Sequence, residues 1–181
     1  YTLQLQDLVP VLSFLILQGK CRKCETPISK HYFFTELLTA LIFVFLGYFY
    51  QASFLFVPSQ FIFAVLASIF LIAIFVSDFL YQEIPFGMTI FPALMLGLLA
   101  FGLGLMDWKN MLQGAIIASG FFLLQYVISR GRWIGFGDVL LGVFIGFVLG
   151  GQKTLLALAL AYMSAACISL ILLASKKIDR K

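Results

Sequence analysis

Charge is scarce in this chain. Only 11% of its 181 residues are Asp, Glu, Lys or Arg, while 62% are hydrophobic. Soluble domains carry about 25% charged residues, so a water-soluble globule is excluded. An integral membrane protein is expected, built as one helical bundle. Cysteine is sparse as well, three in all, too few for a disulfide framework. The pair Cys21 and Cys24 points instead to metal or thiol chemistry. Histidine occurs once, as His31, in a basic loop where it reads as a solvated side chain. No charged-then-apolar leader with a cleavage site is visible, and an opening at Tyr1 without Met is expected of a mature or truncated chain. The net charge of +4 calls for no nucleic-acid partner, because the basic residues sit at the ends of apolar runs.

What is abundant is long uncharged sequence. Leu37–Ser77 runs 41 residues without a charge, Ile84–Met106 runs 23, Asn110–Ser129 runs 20 and Thr154–Ser175 runs 22. A membrane crossing needs roughly 20 helical residues. The first run is therefore two spans with a break near Pro58-Ser59. Together with a segment around residues 133–151 this predicts an all-α polytopic bundle of six transmembrane helices, near 34–55, 60–80, 85–106, 110–129, 133–151 and 154–175. The stretch Leu8–Leu17 is too short to span and is interrupted by Pro10, which predicts an interfacial or re-entrant piece. The chain divides into 1–58, a cytoplasmic segment with Cys21 and Cys24 plus the first span, and 59–181, the membrane core. Ten of the twelve Lys and Arg fall on one side of this topology, with only Lys109 and Lys153 on the other. That bias makes the basic side cytoplasmic.

Two acids stand out because of where they fall. The uncharged run Val139–Gln152 has only 14 residues, so the fifth span must begin near Trp133, whose indole suits the headgroup level. Asp138 then lies about 8 Å deeper, at ~1.5 Å per residue. An ionisable group at such depth is costly and points to function, with a partner to be found. Asp78 ends the second span on the same side and is that partner. Two facing carboxylates in a low dielectric share a proton. Such a pair can activate water with one member and protonate a leaving group with the other. It could also relay protons in a transporter, but transporters commonly carry internal repeats, and none is visible here. Glu83 reads as a solvated or headgroup-facing charge. Pro85 suits the first turn of the third span. Gly142, Gly146 and Gly150 recur every fourth residue after Asp138, a spacing that lets a neighbouring backbone approach closely. Gly135 and Gly137 are expected to allow backbone shapes that a Cβ would resist.

These residues carry a family resemblance. Gly135-Phe136-Gly137-Asp138 matches the GxGD motif of intramembrane aspartyl proteases. With Asp78 and Ile84-Pro85 it resembles the bacterial type IV prepilin peptidases. Asp7-Leu8-Val9-Pro10-Val11-Leu12-Ser13, Gly19-Lys20-Cys21-Arg22-Lys23-Cys24, Pro27-Ile28-Ser29, Tyr32 and Glu36-Leu37-Leu38-Thr39 resemble that family's cytoplasmic segment in order and spacing. The resemblance implies an endopeptidase in the bacterial cytoplasmic (inner) membrane, in contact with its lipid. It would cut the basic leader from type IV prepilin or pseudopilin precursors of pili, secretion or DNA uptake, with catalytic residues matching Asp78 and Asp138. No cofactor is implied for that cut. The region Gly19 to Glu36 resembles the part linked to methylation of the new N-terminus from S-adenosylmethionine. Cys21 and Cys24 would be half of a four-thiolate zinc site. The sequence departs from the family at Phe86, where Asp or Asn is frequent, at Leu140 for Lys, and at Phe33 for Pro. The upstream Cys-x-x-Cys pair of the family is not within this sequence. A proton-coupled carrier using the two aspartates as a relay is the alternative.

Overall fold

A computed structural model describes residues 4–51 and 58–175 of the chain. Helix dominates, and among the described residues the one β-type contact is an isolated bridge between Lys20 and Pro27. After a 3-10 turn at Leu5–Leu8, the helices are α1 (Leu12–Ile16), α2 (Lys30–Tyr50), α3 (Pro58–Tyr81), α4 (Phe86–Gly102), α5 (Trp108–Ser129), α6 (Phe136–Leu149) and α7 (Gly151–Ala174). The fold is the expected all-α polytopic bundle. Backbone contacts divide it into two units, Tyr1–Ile72 and Ala73–Lys181.

The first unit is built on tight turns. Val11 adopts φ 64°, Gln18 50°, Gly19 71° and Glu25 55°. A positive φ is unfavourable for a β-branched residue such as Val11, and its N–H is held at 2.7 Å by the Glu36 carboxylate of α2. The expected short piece at Leu8–Leu17 is thus a turn followed by the single-turn helix α1. Phe14 of α1 packs on Phe33 of α2, with ring centroids 5.1 Å apart. Cys21 and Cys24 sit in a hairpin closed by Cys21 N–H to the Thr26 carbonyl at 2.9 Å and Ile28 N–H to the Gly19 carbonyl at 2.7 Å.

The second unit is organised around α6. Its Phe144 is wholly buried, as are Leu96 of α4 and Ala118 of α5. The antiparallel approach of α5 and α6 is close because no side chain intervenes. A Cβ added at Gly146 would run into the Gly114 carbonyl and Ala115 amide, and one at Gly142 would lie 3.0 Å from the Ala118 backbone. In lipid, helices gain little from burying apolar surface against one another, so backbone proximity of this kind carries the association. Asp138, Gly142 and Gly146 lie along one helix, so this contact also sets the depth and rotation of the acid.

Four described helices are long and apolar enough to cross a membrane: α2, α3, α5 and α7. The helices α4 and α6 have 17 and 14 residues, rises of about 25 and 21 Å, short of the ~30 Å hydrocarbon layer. The expected helix start at Trp133 is corrected to Phe136. Arg130 and Gly131 take left-handed φ values of 55° and 74°, the Ser129 hydroxyl accepts the Trp133 N–H at 3.3 Å, and Gly135 is extended. The α4 end moves from residue 106 to Gly102 because Gly104 turns at φ 65°. The expected loop at 152–153 is absorbed into α7. The break falls instead at Gly150, φ 73°, and the Asn110 Oδ1 accepts the Gly151 N–H at 2.9 Å. Gly150 is therefore a turn residue, and it keeps its place on the packing stripe with Gly142 and Gly146, because a Cβ added at Gly114 would lie 2.8 Å from the Gly150 carbonyl carbon. The first span begins at Lys30 rather than near residue 34, and its expected end at residue 55 lies outside the described residues. Cys167 is exposed on α7.

Gly146→Ala should destabilise the bundle by about 1–3 kcal/mol, the usual range for overpacking. Gly120→Ala, on the exposed side of α5 with no atom within 4 Å of its added Cβ, should stabilise it by up to about 1 kcal/mol through helix propensity. Unfolding in denaturing detergent reads both. Equal behaviour of the two variants would remove the close contact from the account.

Candidate active site and N-terminal cavity

Within the second unit, one cleft of about 450 Å³ is walled by the α3–α4 connector and the start of α6. Asp78, Gln82, Glu83, Ile84 and Pro85 come from the connector side, and Gly135, Phe136, Gly137 and Asp138 from the other. The two aspartates singled out from the sequence therefore line one cavity. Asp78 is exposed and Asp138 half-buried. Glu83, read as a peripheral charge, is on the same wall, so three carboxylates share the cleft and no Lys or Arg lines it.

Local chemistry fixes each side. The Asp138 carboxylate reaches back to accept the Gly135 N–H at 2.9 Å, satisfying one of the free amides at the start of α6. On the facing connector, Gln82 donates its N–H to the Asp78 carbonyl at 2.8 Å, and the buried Ser77 hydroxyl donates to the Glu83 carbonyl at 3.1 Å. Pro85 stands one residue before α4 as its N-cap, with φ −65°, rather than inside the first turn. Gly137 joins the two sides. A Cβ there would lie 2.9 Å from Ile84 Cβ, so Ile84 seats on the bare backbone of α6. The reason for Gly137 is space rather than backbone shape. Gly135 adopts φ −81° and ψ 162°, which any residue can take, and an added Cβ would make only ordinary contacts. The sequence reading missed Gln82. Its signal is conformational, φ 54° on a residue with a side chain, and spacing could not reveal it.

The first unit holds a separate cavity of about 260 Å³ lined by Asp7, Arg22, Cys21, Tyr32 and Glu36 together with Ser13, Phe14, Leu17 and Ile28. Asp7 is nearly buried, and its carboxylate meets the Arg22 guanidinium at 2.8 Å. Glu36 faces this cavity. Gly19 does not line it, and instead takes φ 71° against the Phe14 ring. The Thr26 hydroxyl, 3.0 Å from Cys24 Sγ, lowers the Cys24 thiol to about 7, with the Thr26 backbone and Cys21 adding to the effect. Among the described residues no group of three or more His, Cys, Asp or Glu could hold a metal. Cys21 and Cys24 supply two thiolates, half of a tetrahedral zinc site.

The described residues thus form a helical bundle with apolar, membrane-length helices and two aspartates in one cleft at helix ends. The chain belongs to the type IV leader peptidase family, which it matches over residues 65–170, and it matches the bacterial peptidase A24 N-terminal domain over residues 1–50. It is 31% identical to a prepilin leader peptidase/N-methyltransferase of Myxococcus xanthus, over 91% of this chain and 49% of that protein. Identity is 36% to the protein of the same description from Bacillus subtilis, over 82% of this chain and 58% of the relative. A type 4 prepilin-like proteins leader peptide-processing enzyme of Escherichia coli is 33% identical, over 94% and 62%. The chain thus spans between 49% and 62% of the length of these relatives. No solved structure matches it.

With metal removed by chelator, the alkylation rate of Cys24 should rise through a midpoint near pH 7, because only the thiolate reacts. Thr26→Val should move that midpoint upward. Peptide mass spectrometry separates Cys24 from Cys21 and Cys167, and a wild-type midpoint above about 8, near a free thiol, would contradict the Thr26 hydrogen bond as its cause.

Proposed function

We propose that this chain is an aspartic endopeptidase of the bacterial inner membrane, cutting the leader from type IV prepilin-like precursors at the cytoplasmic face. The observation that carries the reading is the shared cleft of Asp78 and Asp138 in a chain of the leader peptidase family. One aspartate acts as the base and the other as the acid. The base takes a proton from water as the water oxygen bonds to the scissile carbonyl carbon. The carbon–nitrogen bond then breaks, and the leaving nitrogen takes a proton from the dyad. The ring of acids favours a substrate with Lys or Arg beside the cut. Asp78 and Asp138 stand at helix ends, so the scissile bond must reach that level while the rest of the substrate stays in the membrane as a helix.

The same reading extends to methylation of the new N-terminus, and the cavity of the first unit supports it because Cys21, Arg22, Ile28, Tyr32 and Glu36 of the Gly19–Glu36 region line it. Asp7, Arg22, Tyr32 and Glu36 would hold S-adenosylmethionine, whose amino-acid end carries both charges that Arg22 and Glu36 can pair. The bound group would supply an electrophilic methyl. Zinc at Cys21 and Cys24 would need two further ligands.

The test uses the chain in lipid vesicles, a type IV prepilin and S-adenosylmethionine labelled in its methyl group. The wild type should shorten the prepilin and label the product; a shortened, unlabelled product would leave a peptidase without the transferase. Asp138→Asn keeps an oxygen that can accept the Gly135 N–H, so α6 stays capped while cleavage falls by several orders of magnitude. Asp138→Ala loses the cap too, at about 1 kcal/mol. Asp78→Asn should match Asp138→Asn, and the double variant should be no slower than either, as for residues acting as one unit. Near-normal cutting by a folded single variant would remove that residue from the chemistry.

A further inference from the structure

Gln82 ends the last turn of α3 in the left-handed region, φ 54°, with its N–H on the Asp78 carbonyl. Glycine takes this conformation without steric cost and is the common residue at such helix ends. A glutamine there is strained, and strain held beside a cleft points to a used side chain. Gln82, exposed, is one of the residues that line the cleft shared by Asp78 and Asp138. Among the described residues the Gln82 amide makes no side-chain hydrogen bond, whereas Ser77 and Asp138 beside it are both engaged.

The chemistry of the wall shows what such an amide can do. Its other polar side chains are the carboxylates of Asp78, Glu83 and Asp138. Ionised carboxylates only accept hydrogen bonds, while a primary amide offers two N–H donors. Hydrolysis of a peptide moves negative charge onto the carbonyl oxygen, and a donor fixed at that oxygen stabilises the transition state more than the ground state. The single proton of the dyad is committed to the transfer steps. The free N–H groups at the start of α6 can approach from one side; Gln82 is the side-chain donor on the connector facing them.

We infer that Gln82 is a further catalytic residue, its side-chain amide donating a hydrogen bond to the scissile carbonyl oxygen as water adds to the carbon. No bond to Gln82 is made or broken. This role rests on the peptidase reading given above, and its failure can be told apart from the failure of that reading.

The test compares wild type, Gln82→Gly and Gln82→Asn in vesicles with a prepilin substrate. Gln82→Gly fits the left-handed backbone, so it should fold at least as stably as wild type while kcat falls about a hundred- to a thousandfold and KM changes little. A residue that only caps the helix predicts the opposite, unchanged or improved turnover in the glycine variant. Gln82→Asn also tolerates the left-handed region but is one methylene shorter, and should lose kcat in the same way; it decides the matter if the glycine variant does not fold. Wild-type kcat in either folded variant, or a loss confined to KM, would overturn the role of Gln82 alone. A wild-type chain that cuts no prepilin would overturn the peptidase reading and this role with it.

Discussion

The contact of Gly114 with Gly146 is the constraint on which the membrane core depends. Without side chains between them, α5 and α6 meet backbone to backbone, and the rotation of α6 about its own axis has little freedom left. Asp138 lies two turns from Gly146 on that helix, so its place follows from the packing. Gly137, next to it, is bare toward Ile84, and Ile84 belongs to the connector that begins after Asp78. One close helix contact thereby locates both acids. The cost of a Cβ is highest where the sequence has glycine on this line, at residues 114, 142, 146 and 137, and absent at Gly120 and Gly87.

Short helices are the second consequence. Because α6 begins at Phe136 rather than at Trp133, the backbone from Arg130 to Gly135 is not helical. Irregular backbone at membrane depth is tolerated where it is buried in protein or lines a water-filled cavity, and here it borders the cleft. Side chains add to the backbone hydrogen bonds of this region: Ser129 holds Trp133, Ser77 holds Glu83, and Asp138 holds Gly135.

Much of this was legible in the sequence, and the rest was not for physical reasons. The uncharged runs gave the helices, and the two acids next to long apolar runs gave the cleft walls, because charge in lipid is expensive enough to mark its position. The GxGD match and the ordered N-terminal motifs gave the family. Helix ends were misjudged where a left-handed residue decided them, as at Gly104 and Gly150, while the end of α5 at Ser129 falls where the uncharged run ends. The reason for Gly137 depends on Ile84, 53 positions away, and no periodicity carries that. Gln82 is not marked by the sequence, and Glu83 reads only as a solvated charge, because a connector between two spans reads as solvated until its fold against α6 is known.

Everything proposed for the site depends on Asp78 and Asp138 lining a single cleft. A direct measurement replaces both by cysteine in a chain whose own Cys21, Cys24 and Cys167 are serine, and treats it in vesicles with a short bifunctional thiol reagent. Proteolysis followed by mass spectrometry should recover peptides of α3 and α6 joined through positions 78 and 138. A control pair at 78 and Gly120 should remain unjoined. Full modification of both cysteines with no joined peptide, or equal joining in the control, would contradict the shared cleft.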